Sequence, residues 1–201
     1  VPLGVIAAWK HGTLIDRFVM LLSVLGFSIP VFVIGYLMIA FFSMELKWFP
    51  VQGFKPIGDG VGPFLSRIAL PTFTLTLLYI ALIARITRTS MLEILGDDYI
   101  RTARAKGLPE SRVLMRHALR NCSVPIITVI GIGFALIISG VVVTESVFNL
   151  PGLGRLTVDA VLARDYPVIQ AVILLASLIY VVINLLIDIA YVLLDPRIRY
   201  S

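Results

Sequence analysis

Runs of residues without a charge alternate with short polar stretches along this chain, and the run lengths predict its elements. Phe18 to Met44 carries no charge and is long enough to cross a bilayer with some tilt. Pro30, with Ser28 before it, is expected to kink that helix. Ile68 to Ala84 is the shortest run, flanked by Arg67 and Arg85, whose long side chains can snorkel to the two interfaces. Asn121 to Thr144 is again uncharged and contains Gly131, Gly133 and Gly140, small residues that let helices approach closely in lipid. Tyr166 to Ile187 forms the last run. Val1 to Trp9 is too short to cross alone and reads as the end of a preceding span, so a longer N-terminal part is expected. The pattern predicts an all-α integral membrane protein with four complete transmembrane helices plus the end of a preceding one.

Between these runs, Lys10 to Arg17 is a short polar turn. Glu45 to Ser66 is a Gly- and Pro-rich loop, with Trp48 and Phe49 where an aromatic belt would lie. Glu145 to Asp165 is polar, and Asn149 to Gly154 reads as a turn before a short amphipathic helix. Residues 87–120 carry the clearest helix punctuation. Met91, Leu95 and Tyr99 recur every four residues, as if the preceding helix ran on beyond the bilayer. Asp97 or Asp98 is placed to cap a helix over Tyr99 to Lys106, with Arg104 and Lys106 in its last turn where the dipole favours cations. Gly107 supplies the left-handed stop and Pro109 starts a second helix. Together these predict a helix–turn–helix elbow.

Composition sharpens the class. The chain is 59% hydrophobic and only 14% charged, with mean hydropathy +0.99, against roughly half apolar and a quarter charged for soluble domains. Its net charge of +5 suggests nucleic acid only until the cations are placed. Twelve of the 17 Lys and Arg lie in the first turn, in the stretch Arg85 to Arg120 that holds the elbow, and in the tail Asp195 to Tyr200. Lys47, Lys55, Arg67, Arg155 and Arg164 lie on the other side. The positive-inside rule puts the elbow and the C-terminus in the cytoplasm, and no nucleic acid is needed.

The elbow sequence Tyr99-Ile100-Arg101-Thr102-Ala103-Arg104-Ala105-Lys106-Gly107-Leu108, then His117-Ala118-Leu119-Arg120-Asn121 and Pro125, resembles the cytoplasmic loop of binding-protein-dependent ABC importer permeases. The resemblance is nearest to the dipeptide, oligopeptide and nickel branch, of the first permease subunit type. Thr144-Glu145-Ser146-Val147-Phe148 with Pro151-Gly152-Leu153-Gly154, Asn184-Leu185-Leu186-Ile187-Asp188 and Leu194 to Tyr200 agree with it. Where the broader family has Glu-Ala-Ala, this chain has Arg101, Thr102 and Ala103, and the later family proline falls at Arg120. Gly107 and Leu119 match the family; Arg101 inherits no glutamate role.

The resemblance implies a permease domain over 1–201, with residues 87–120 as its cytoplasmic coupling elbow. Implied partners are a second permease subunit, two ATPase subunits and an extracytoplasmic binding protein, with a peptide, nickel chelate or related small solute as cargo. The setting is a bacterial-type inner membrane, and the mechanism is ATP-driven alternating access. Asp98, Tyr99, Ile100, Ala103, Arg104, Lys106, Gly107, Leu108 and Leu119 are the ATPase-coupling residues, with Tyr99, Ile100 and Ala103 expected to bury an apolar face in an ATPase groove. ATP and Mg belong to the ATPase subunits, because no Walker A pattern is present; no cofactor is expected on this chain. The rival class is an ion channel or pore without an ATPase, which would need a charged ring or carbonyl filter.

Other chemistry is thin. Asp97 and Asp98, as helix neighbours, do not face one another as an acid pair would. His11 and His117 have no ligand spacing, and the single Cys122 excludes an internal disulfide or a multi-cysteine zinc site, so neither a catalytic nor a metal residue is expected. Asn184 and Asp188 lie i, i+4 on one face of the last span. They read as a polar clamp onto Arg197 or the elbow cations, or as a solute contact. Glu145 and Ser146, at an outer helix end, could meet a solute amine or the binding protein, or simply close the helix.

Overall fold

The computed structural model describes the backbone of residues 1–194, with side chains for 1–134 and 141–193. The expected tail Asp195 to Tyr200 and the environment of Gly140 lie outside the described residues. Every regular element among the described residues is helical.

The helices are α1 (Pro2–Trp9), α2 (Leu14–Ser28), α3 (Val31–Met38, continued by a wide π turn Ile39–Glu45), α4 (Val61–Leu95) and α5 (Asp98–Ala105). There follow α6 (Glu110–Asn121, with a π turn at Val113–Ala118), α7 (Ser123–Phe148), α8 (Leu153–Ala163) and α9 (Tyr166–Leu194). Among the described residues two helices, α4 and α9, are long and apolar enough to cross a membrane, and the count rises to four if each of two bent pairs is one span.

Several boundaries differ from expectation, each for a local reason. The run Phe18 to Met44 is interrupted at Ile29–Pro30 rather than kinked: Pro30 adopts φ −57°, ψ 141° and starts a new helix. It lacks an N–H, and it drives the preceding residue out of helical geometry. The loop after Glu45 is shorter than expected because α4 already begins at Val61. At 35 residues, α4 is about 50 Å long at 1.5 Å per residue. That exceeds the roughly 30 Å hydrocarbon core, so Ile68 to Ala84 is only its middle. The stripe Met91–Leu95–Tyr99 does not run along one helix: α4 stops at Leu95, and Tyr99 belongs to α5. Before α7 the chain bends by 60° at Cys122.

The contacts divide the chain into two units. Among the described residues, one comprises Val1–Phe27, Tyr79–Gly133 and the chain from Ile183 to Leu194, the other Ser28–Leu78 and Phe134–Val182. In the first, Val5, Ala8, Met91, Ile100, Ala103, Val113, Leu114, Ala118, Cys122 and Ile126 form the core. There α1 lies against α4 so closely that a Cβ on Gly4 would fall 2.5 Å from the Ala84 carbonyl and 2.6 Å from Thr87 Cβ. The expected close approach at Gly131 is also present, since a Cβ there would meet Ile187 Cδ1 at 2.1 Å. In the second unit Ile39, Leu70, Val147 and Phe148 make a smaller core, and a Cβ on Gly35 would already touch Val147 at 3.1 Å.

Candidate functional site

The elbow is built from α5, the turn at Gly107 and α6. Asp97 occupies the N-cap with extended backbone (φ −70°, ψ 149°), but its side chain makes no cap hydrogen bond. Nor does that of Asp98, whose carboxylate is exposed and 3.5 Å from Arg101 Nη1. Both aspartates point to water, so the expected carboxylate cap is replaced by their electrostatic placement at the positive helix end. The C-terminus is as expected. Gly107 has φ +76°, its N–H donates to Arg104 O at 2.9 Å, and Leu108 N–H donates to Ala103 O at 3.3 Å. This is the paired bonding of a Schellman stop, which needs a left-handed residue. Pro109, one position earlier than a first-turn proline, caps α6 with φ −64°.

A side-chain fork closes the same turn. Arg104 Nη2 and Nε donate to Glu110 Oε1 and Oε2 at 2.7 and 3.2 Å. That pairing raises the Arg104 pKa above its ordinary value.

The apolar face of α5 does not behave as expected. Ile100 is fully buried and Ala103 nearly so, both inside the chain's own core with Met91, Val113, Leu114, Ala118 and Cys122. Leu108 and Leu119 pack half-buried against the same core. Neither Ile100 nor Ala103 is therefore free to enter a partner's groove. Apolar residues at helical spacing record that a face is covered, not by what. The exposed surface is instead Tyr99 (41%), Arg101, Thr102, Ala105 and Lys106. The Tyr99 hydroxyl accepts from Asn121 Nδ2 at 2.7 Å, which ties α5 to the end of α6.

At the other candidates the structure is more selective. Asp188 is exposed and makes no ion pair among the described residues, so no elbow cation clamps it, and Arg197 lies outside them. Asn184 is half-buried. One turn on from Asp188, Tyr191 OH lies 2.7 Å from Thr128 Oγ1 and joins α9 to α7.

Glu145 is buried, and its Oε2 accepts the backbone N–H of Arg155 at 2.8 Å. Arg155 is the third residue of α8, whose own N-cap, Gly152, has no side chain to offer. Glu145 thus caps α8 from the end of α7, and the carboxylate sits at the positive helix end. Ser146 is exposed and bonds back to Val142 O at 3.0 Å. A Cβ on Gly152 would lie 1.9 Å from Glu145 Oε1, and one on Gly154 2.6 Å from Val142 Cα. The two glycines make room for this contact. Glu145 can rotate away from a methyl at 152, but the Val142 backbone cannot yield at 154. Gly154→Ala is expected to displace α8 and destabilise by about 1–3 kcal/mol, read as a lower unfolding midpoint in detergent, with Gly152→Ala milder.

One cluster has no local signal in the sequence. Asp16, 3% exposed, receives Arg88 Nε on Oδ1 at 2.5 Å and Arg88 Nη2 and Gly12 N–H on Oδ2 at 2.8 and 2.9 Å. His11 Nδ1 stands 3.2 Å from Asp16 Oδ2 and 3.1 Å from Arg88 Nη2. The pair joins the first turn of α2 to α4 across 72 residues, and no local spacing announces it. Among the described residues no group of three or more His, Cys, Asp or Glu could hold a metal.

Long apolar helices, close glycine-mediated packing and a polar elbow define a polytopic helical membrane protein. Residues 1–200 match the model of the family described as binding-protein-dependent transport system inner membrane component. The chain belongs to that family, as its elbow motif implied. It is 58% identical over 200 residues to a probable peptide ABC transporter permease protein of Sinorhizobium fredii, covering 100% of this chain and 64% of that protein. It is 42% identical over 218 residues to a di/tripeptide transport system permease protein of Pseudomonas aeruginosa (98% and 65%). To a glutathione transport system permease protein of Escherichia coli it is 46% identical over 198 residues (98% and 62%). The chain spans just under two thirds of the length of these relatives.

Proposed function

We propose that this chain is the membrane-spanning permease part of an ATP-driven importer for peptides, with nickel chelates or related small solutes in the same class. The match over residues 1–200 to an inner membrane transport component carries the reading, and relatives named as peptide and glutathione permeases favour a peptide-like solute. None of these names favours the rival ion channel. Four crossings are assigned, to α2 with α3, to α4, to α7 and to α9, in an inner membrane. The elbow at 87–120 and the C-terminus face the cytoplasm, on the strength of the 12 cations of 17 that lie there, in the first turn and at Arg85. A second permease subunit, two ATPase subunits and an external binding protein complete the assembly, and the ATPases hold the ATP and Mg.

In this mechanism α5 is the handle. Its inner face (Ile100, Ala103), with Leu108 and Leu119, is fixed in the core of the first unit. Its outer face offers Asp98, Tyr99, Arg101 and Lys106 to the ATPase, while Gly107 and the Arg104–Glu110 fork keep the turn stiff. ATP-driven closure of the ATPases then moves the helices packed on α5 between inward-open and outward-open states. Co-purification of an ATPase subunit and ATP-dependent peptide uptake by the reconstituted assembly test the reading; a complex that conducts ions without an ATPase would refute it. Topology has its own test. A cysteine at Pro56 is expected to label from outside intact cells and one at Glu110 only after permeabilisation, and the reverse pattern would overturn the orientation.

A further inference from the structure

A cavity of about 430 Å³ opens within the second unit, between α7, α8 and the stretch of α9 from Val172 to Ile179. Its wall is almost wholly apolar, with Val142, Leu153, Ile173 and Ala176, and Thr157 and Glu145 are its polar members. That size and composition suit a small ligand gripped by few polar groups. Glu145 is 8% exposed, and only its Oε2 is used in capping α8. Oε1 accepts no hydrogen bond among the described residues. The cation nearest in sequence, Arg155, is turned away: its Nη1 donates to Asn149 Oδ1, and its Nε lies 3.8 Å from Asp159. A mostly buried carboxylate with one oxygen unserved calls for a donor, and a charged donor gives the strongest bond.

We propose that this cavity receives the amino-terminal residue of a peptide. Its ammonium donates to Glu145 Oε1, and its apolar side chain lies among Val142, Ile173 and Ala176. The proposal rests on the importer reading and narrows its cargo to solutes with a free amine on an apolar first residue. A cavity this apolar would hold such a side chain by area removed from water, while the single carboxylate would discriminate against a blocked amine, which brings no charge and leaves the site's acceptor poorly served.

The test uses the assembled importer in nanodiscs of phosphatidylcholine and phosphatidylglycerol, which carry no lipid amine, with the binding protein left out. Radiolabelled Leu-Gly is expected to bind at least tenfold more tightly than N-acetyl-Leu-Gly. Glu145→Gln keeps the acceptor for Arg155 N–H and removes the charge, so it is expected to weaken Leu-Gly to the acetylated level. Ala176→Phe fills the cavity without touching the cap and is expected to abolish binding of both. Equal binding of the two peptides by the wild type, or unchanged affinity in either variant, would overturn the proposal. With the binding protein restored, absence of any ATP-driven uptake by the wild type would instead refute the importer reading. Uptake whose preference for the free amine survives Glu145→Gln would sink the cavity proposal alone.

Discussion

Asp16→Ala is expected to destabilise the protein by about 3–5 kcal/mol, the range for breaking a buried ion pair from one side. The Asp16 carboxylate is 4% exposed and the Arg88 side chain 17%, so neither charge has much water to fall back on. The aspartate takes two guanidinium donors and the Gly12 N–H. Alanine would strand all three, Arg88 at the highest cost. The loss should appear as a fall in the yield of folded protein and a lower unfolding midpoint in detergent. Arg88→Met alone should be nearly as damaging, because it strands the carboxylate. Asp16→Leu with Arg88→Met should recover most of the loss, since a buried pair replaced by apolar groups is often neutral. Single variants that unfold like the wild type would show that the pair contributes nothing to stability.

What the sequence made legible follows from the range over which each signal acts. Gly107 was readable because a helix stop is a local matter of one left-handed residue, and its φ is +76°. The turn before α8 was readable for the same reason. The role of Ile100 and Ala103 was not. Their spacing marks a covered face equally well whether the cover is Met91 and Val113 of the same chain or a partner's groove. The charged pair was further out of reach. In the sequence Arg88 is one more topological cation and Asp16 part of a short polar turn, and only folding over 72 residues joins them. Glu145 is intermediate: the glycines at 152 and 154 were visible as turn residues, but the carboxylate they accommodate lies on another helix.

Gly107→Val is expected to abolish transport while leaving the chain inserted and assembled. Insertion depends on the apolar runs, which the substitution does not touch. A Cβ at Gly107 would meet nothing within 4 Å, so the effect is conformational and not steric crowding. Left-handed geometry costs an ordinary L-residue about 1–2 kcal/mol, and a β-branched side chain fits it worst. Valine would escape by unwinding the turn, breaking the Gly107 and Leu108 N–H bonds to Arg104 and Ala103 and pulling Arg104 from Glu110. The outer face of α5 would then be misplaced against the ATPase although Ile100 still anchors its inner face. Substrate-stimulated ATP hydrolysis should fall or uncouple from uptake, with solute affinity of the binding protein unchanged. Gly107→Asn supplies the control, because asparagine enters left-handed backbone more readily than other residues. It should keep a substantial part of the transport that valine destroys. Equal transport by the wild type and the valine variant would show that the turn carries no motion. Equal loss in the asparagine and valine variants would mean that bulk at this position, and not backbone geometry, blocks the ATPase.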